Sequence, residues 1–153
     1  MDALELLRKD HRTVGELFEE VKATTDPEKH RQLFEEIKAQ LQLHTYIEET
    51  VLYPAFTKYR DLKDLVLEAY EEHTQIKRLI NEISALSQDS ERFDAKLKVM
   101  GENIEHHVRE EEDDLFPRVI KLYDRERLER LGQELESAKK QFGQASQTQS
   151  SAG

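Results

Sequence analysis

Two segments of this chain repeat one spaced signature. His44 is followed four residues on by Glu48 and ten residues on by Pro54, and His107 is followed at the same spacings by Glu111 and Pro117. A step of four along a helix returns to the same face, so each imidazole stands beside a carboxylate. A further histidine precedes each pair at nearly constant distance, His11 by 33 residues and His73 by 34. One His–Glu pair carries little weight in a chain with 23 glutamates and six histidines. Two pairs, each with a proline at a fixed offset in a chain holding three, are a poor match to chance. Duplicated His/Glu sets on helices are the donors that a two-metal centre requires. Glu48 and Glu111 would bridge, each giving one oxygen to either ion. His11 and His44 would terminate one ion, and His73 and His107 the other. Imidazole and carboxylate without sulfur suit Fe, Mn, Zn or Co and disfavour Cu(I). Six-coordinate iron would keep room for a solvent-derived oxo or hydroxo bridge and for an exogenous ligand such as O₂ or peroxide.

The elements that must position these residues are helices, because the apolar period is three to four throughout. The first segment reads Leu4, Leu7, His11, Val14, Phe18, Val21, with Asp2 and Glu5 set for a capping box. The second opens at Asp26-Pro27 and reads Ile37, Leu41, His44, Glu48, Val51, Ala55. The third follows Asp61 and reads Val66, Tyr70, His73, Ile76, Ile80, Ile83; the fourth follows Asp89-Ser90 and reads Phe93, Leu97, Met100, Ile104, His107, Glu111, Leu115. Each apolar seam therefore contains a histidine. At 1.5 Å per residue, the four lie roughly 20 to 26 Å from their connecting turns, so an up-down-up-down bundle brings them near one level. The halves also align with each other. An offset of 62 pairs His11, Val14, Leu17, Phe18, Val21 with His73, Ile76, Leu79, Ile80, Ile83. An offset of 63 pairs Ile37, Leu41, His44, Glu48, Glu49, Leu52, Pro54 with Met100, Ile104, His107, Glu111, Glu112, Leu115, Pro117. Two helical hairpins about a pseudo-twofold axis follow. Pro54 and Pro117 are expected either to kink their helices just beyond the site or to end them there. His106 also has a glutamate four residues on, Glu110, but the proline spacing selects His107 and leaves His106 outside. His30 lies on a seam roughly 21 Å from His44, too far to be a ligand.

The expected architecture is all-α: an antiparallel four-helix bundle over residues 1–123, an amphipathic fifth helix over 124–142, and a disordered tail over 143–153. The fifth segment reads Leu128, Leu131, Leu135, Ala138, Phe142 and would pack on the bundle, on a protein partner or on a second copy. With no cysteine, disulfides, iron–sulfur clusters and thiolate zinc sites are excluded, and a reducing cytoplasm is the expected location. No run of about 18 apolar residues spans a membrane, and the N-terminus lacks the basic and apolar segments of a signal peptide. A net charge of −10 opposes binding to nucleic acid or anionic lipid.

His11, His44-xxx-Glu48, His73 and His107-xxx-Glu111, with their Leu-Tyr-Pro and Leu-Phe-Pro endings, resemble the hemerythrin-like (HHE cation-binding) family over roughly residues 1–123. The resemblance implies a bundle holding two iron ions, with O₂ storage or sensing, iron sensing, or peroxide and nitrosative-stress handling as the family's functions. A catalase-like or oxidase activity is within that range, as is a sensor acting through a protein partner; a metal-free helical interaction module is the remaining alternative. One departure matters. Oxygen-carrying members place two histidines four residues apart on the third helix, whereas the positions four before and four after His73 are Ala69 and Lys77. This weakens oxygen carriage and favours redox chemistry or sensing. Tyr70, one turn before His73, is a candidate substitute ligand or hydrogen-bond partner. The absence of cysteine argues against the family's iron-repair branch.

Overall fold

Capping and periodicity set the helices of the computed structural model, which describes the backbone of residues 1–152 and the side chains of residues 1–145. Helix α1 is Ala3–Lys22, and its start carries the predicted capping box: the Asp2 carboxylate accepts from the Glu5 N–H at 2.9 Å, and the Glu5 carboxylate from the Asp2 N–H at 3.2 Å. Helix α2, Pro27–Ile47, begins with proline after an Asp26 cap. It runs through a π-helical turn, Glu48–Leu52, into α3, Tyr53–Phe56. Helix α4 is Arg60–Ser84; it starts one residue before Asp61, which lies in the first turn instead of capping it. Helix α5, Glu91–Glu110, is capped by Ser90 and runs through a second π turn, Glu111–Leu115, into α6, Phe116–Leu122.

A π turn precedes Pro54 and another precedes Pro117, and the chain continues as helix beyond each. Proline has no N–H to return to the carbonyl four residues back, so the α ladder cannot close there. The N–H just before each proline reaches back five residues instead, Tyr53 to the Glu48 carbonyl and Phe116 to the Glu111 carbonyl. Each proline then sits in the first turn of the next helix, where a missing donor costs least.

Helix α7, Arg125–Ala152, buries Leu128, Leu131, Leu135 and Ala138 in one cluster with Ala3, Leu4 and Leu7. The segment 124–142 thus packs on its own bundle, which occupies its apolar face. Gly132 permits the approach: a Cβ there would lie 2.5 Å from the Met1 carbonyl oxygen and 3.0 Å from the Ala3 nitrogen. The helical backbone runs to Ala152. Gly143 costs only about 1 kcal/mol in a helix, and the Gln, Ala and Ser that follow include no proline to stop it. Side chains from 146 on, and Gly153, lie outside the described residues, and with them part of the tail expected to be disordered.

The four long rods α1, α2–α3, α4 and α5–α6 enclose two apolar clusters. One holds Leu7, Ile47, Leu52, Tyr53, Phe56, Val66, Leu115 and Phe116 beside α7; the other holds Val14, Phe34, Ile37, Ile76, Ile80, Phe93, Leu97 and Met100. Between them lies a layer of buried histidine and glutamate. No described helix is long and apolar enough to cross a membrane.

Candidate metal centre

Six polar side chains from four rods meet in that layer: His11 of α1, His44 and Glu48 of α2 and its π turn, His73 of α4, and His107 and Glu111 of α5 and its π turn. All are buried, Glu48 completely. Potential ligand atoms of His11, His44, Glu48 and Glu111 lie within 4.8 Å of one another, as do those of Glu48, His73 and His107. The structure therefore brings together the six residues singled out by spacing, in two groups that share Glu48, with Glu111 in the first group only. His11 Nε2 lies 3.2 Å from Glu111 Oε1, His44 Nε2 3.2 Å from Glu48 Oε1, His73 Nε2 3.1 Å from Glu48 Oε1, and His107 Nε2 3.2 Å from Glu111 Oε2.

These contacts are close in distance but wrong in direction for hydrogen bonds. His11 Nε2, His44 Nε2, both Glu48 oxygens and Glu111 Oε1 are buried without a hydrogen-bond partner. Five orphaned polar atoms in one layer would cost several kcal/mol, and native cores avoid such groups. The spacing has a simple reading: metal–ligand bonds of about 2.1 Å at roughly right angles set neighbouring ligand atoms about 3 Å apart. The donor set and the orphaned atoms both fit metal ions.

A carboxylate holds the outward nitrogen of each histidine. His11 Nδ1 contacts Glu112 at 3.1 Å, His44 Nδ1 contacts Asp10 at 3.0 Å, His73 Nδ1 contacts Glu49 at 2.8 Å, and His107 Nδ1 contacts Glu72 at 2.7 Å. Such partners fix the tautomer, point Nε2 inward and raise its basicity. They obey the pseudo-twofold: Asp10 and Glu72 precede His11 and His73, while Glu49 and Glu112 follow Glu48 and Glu111. Sequence reading found the Glu49–Glu112 repeat but assigned neither residue a role, and it overlooked Asp10 and Glu72. Lys77, one turn beyond His73, binds Glu49 at 2.8 Å and so anchors the carboxylate that orients His73.

Sequence reading also missed Tyr53. In an α-helix, five residues make about 1.4 turns and would carry it away from Glu48; in a π turn they make about one, which returns it to the same face. Its hydroxyl donates to Glu111 Oε2 at 2.8 Å and lies 3.3 Å from His73 Nε2. Burial, with the Glu111 and Glu48 charges, holds the phenol pKa well above its ordinary value, so it remains a donor. Tyr70 does not take this place. It is half-buried and packs edge-on against the Tyr53 ring, centroids 5.1 Å apart. The pseudo-twofold mate of Tyr53 is Phe116, which stacks on His11 at 6.3 Å and brings no hydroxyl.

The electrostatics call for positive charge at the centre. Burial would depress His44, but Glu48, Asp10 and Glu111 outweigh it and lift its pKa to about 10. His107 is raised well above its ordinary value against burial by Glu111 and Glu72, and His73 is raised by Glu48 and Glu49. Glu111 is held well below the usual carboxylate range, again against burial, by contact with Glu48, His107 and His11. Protons on the imidazoles or metal ions can supply that charge. His106 lies outside the centre, its side chain 62% exposed and its Nε2 3.0 Å from Glu110. His30 is remote, bonded to Asp94 at 2.9 Å and to the Thr24 and Val21 carbonyls.

Known proteins resemble this chain. A DNA nickase of Nostoc sp. is 31% identical over 144 residues, which is 94% of this chain and 41% of that protein's length. The chain thus spans well under half of that relative. An uncharacterized hemerythrin-like protein of Schizosaccharomyces pombe is 25% identical over 134 residues, covering 86% of this chain and 66% of its own. The crystal structure of a hemerythrin HHE cation-binding domain-containing protein from Mycobacterium kansasii shares the fold, with a TM-score of 0.80 at 24% identity over 93% of this chain and 87% of that one. Residues 2–119 match the family model itself. With its duplicated His/Glu layer inside a bundle of that shape, the chain belongs to the hemerythrin HHE cation-binding domain family.

Proposed function

We propose that the protein is a non-haem di-iron protein that binds a small oxidant, O₂ or peroxide, and reacts with it. The observation that carries this is the set of five orphaned, converging donor atoms of His11, His44, Glu48 and Glu111. His11, His44, His73 and His107 would hold the ions terminally and Glu48 and Glu111 would bridge them; when bound, the pair would supply electrons and Lewis acidity. The chain's own residues set the rest. A cavity of about 20 Å³, lined by the four histidines with Val14, Leu41, Ile76, Ile104 and Val108, adjoins the centre. It has room for something near the size of one water molecule, and its apolar wall favours a small nonpolar guest. On the opposite side, Tyr53 holds a proton at its hydroxyl between Glu111 and His73, within reach of a ligand that gains basicity as it is reduced. Lys77 and Ala69 take the positions of a fifth histidine, which supports reaction over reversible carriage.

The proposal includes no nucleic-acid partner. A net charge of −10 repels phosphates, and the nickase relative extends far beyond the matched region. The test is anaerobic loading with Fe(II) followed by air or hydrogen peroxide. Expected are two irons per chain, rapid oxidation in air and consumption of peroxide. A single bound ion, or an oxygenated form that reverses cleanly under argon, would overturn the reading.

A further inference from the structure

The pseudo-twofold is broken outside the metal layer, and the break has a direction. On one side the outer carboxylate Asp10 is tied to Lys139 of α7 at 2.7 Å. The nearby Leu43 and Ile47 lie in the apolar cluster that contains Leu131 and Leu135 of the same helix. That face is closed. The repeat places Glu72, His106 and Glu110 at the matching positions of the other half, where the His106 side chain is 62% exposed. There His106 Nε2 is 3.0 Å from Glu110 Oε1 and 3.7 Å from Glu72 Oε2, and one atom from each residue falls within a sphere of contact suited to a cation.

These residues form a graded path inward. Side-chain exposure falls from 62% at His106 and 26% at Glu110 to 17% at Glu72, then to 6% at His107 and 1% at Glu111. Glu72 joins the two ends, since its second oxygen bonds His107 Nδ1 at 2.7 Å. A cavity of about 10 Å³ touches Glu72, Glu110, His107 and Glu111, with the small Ala69 among its walls. One imidazole and two carboxylates suit a divalent first-row metal.

We propose that Glu72, His106 and Glu110 form a third, weaker divalent-cation site from which the buried centre is loaded. This rests on the reading that the buried six hold metal. A cation captured at the surface exchanges its water for Glu110 and Glu72 and passes inward by ligand exchange to His107 and Glu111, with no change of oxidation state. The test compares the full chain with His106→Ala, Glu110→Gln and the double variant. Glu72 is left intact because it also orients His107. The metal-stripped proteins are mixed with Co(II), and the rise of its visible absorption is followed by stopped flow. The double variant should load at least tenfold more slowly yet reach the same two ions per chain. Protein whose centre is already filled with Zn(II) should bind one further Mn(II), seen by loss of its free EPR signal, and the double variant should not. An unchanged loading rate, or no further Mn(II) on the wild-type chain, would overturn the proposal. If the wild-type chain takes up no Co(II), the buried-centre reading fails instead, so the two failures are distinguishable.

Discussion

Replacing Tyr53 by phenylalanine removes one oxygen and little else. The ring keeps its contacts with Tyr70 and His73, at centroid separations of 5.1 and 5.3 Å, and the deletion leaves no methyl-sized void. Phe116 at the matching position of the other half shows that the fold accepts a phenyl ring there. What is lost is an O–H donated at 2.8 Å to a buried carboxylate. A hydrogen bond to a charged acceptor contributes about 1.5–3 kcal/mol, and an abandoned buried acceptor costs a similar amount. We expect Tyr53→Phe to lower stability by about 2 kcal/mol, which for a chain of this size is a fall in Tm of roughly 4–8 °C. The loss should be larger in metal-stripped protein, where Glu111 has fewer partners. The phenol stays protonated well beyond its ordinary pKa, so the difference should hold from pH 6 to 9. Urea unfolding followed by circular dichroism, on stripped and loaded forms, provides the measurement. A difference below about 0.5 kcal/mol in both forms would show that the hydroxyl does not serve Glu111.

Stripping the metal should itself destabilise the fold: with free metal a thousandfold above Kd, binding adds about 4 kcal/mol, so calorimetric traces of stripped and loaded protein should separate by roughly 8–16 °C, and coincident traces would refute buried ligation. His30 loses solvation on burial, yet bonds to Asp94 and to the Thr24 and Val21 carbonyls raise its pKa above the ordinary 6.5. Its charged form therefore contributes stability fully below that value and loses it as pH rises through the raised folded pKa. His30→Ala should cost about 1–3 kcal/mol at pH 6 and less at pH 9, and an equal cost at both would refute the assignment. Gly132→Val would drive a side chain into the Met1 carbonyl and should cost about 1–3 kcal/mol while making α7 more sensitive to protease. Gly143→Ala, with nothing within 4 Å of the added carbon, should be neutral or stabilise by up to about 1 kcal/mol in the same unfolding assay.

Much of the centre was legible because metal ligation leaves a sparse pattern. Histidine is rare in this chain, and the same spacing to proline occurs twice, enough to select His107 over His106 and to set His30 aside. Apolar periodicity marked the rods for a related reason, since burial imposes it on many residues at once. What stayed hidden rests on signals of lower contrast. Asp10, Glu49, Glu72 and Glu112 are four of 33 acidic residues, and only the repeat between the halves distinguishes them from a solvated surface. Tyr53 was hidden because α-helical phase turns it away from Glu48. The π turn that restores it is a backbone event, signalled only by the proline that follows. Tyr70 stands one α-helical turn from His73, and its ring packs against Tyr53.

The polar layer also divides the hydrophobic core. Apolar contacts stop at the six buried histidines and glutamates and resume beyond them, so cohesion passes between the halves mainly through helix backbones and through whatever charge balances the glutamates. Leu128, Leu131, Leu135 and Ala138 of α7 brace the half near Leu7 and Phe56, and among the described residues none of them joins the cluster of Phe34 and Phe93. The bundle is therefore built as two cooperative units in series with an ionic joint between them. Metal in the joint would unite them into a single melting unit. Without it, amides of the unbraced half should exchange with solvent first, and one thermal transition should broaden toward two.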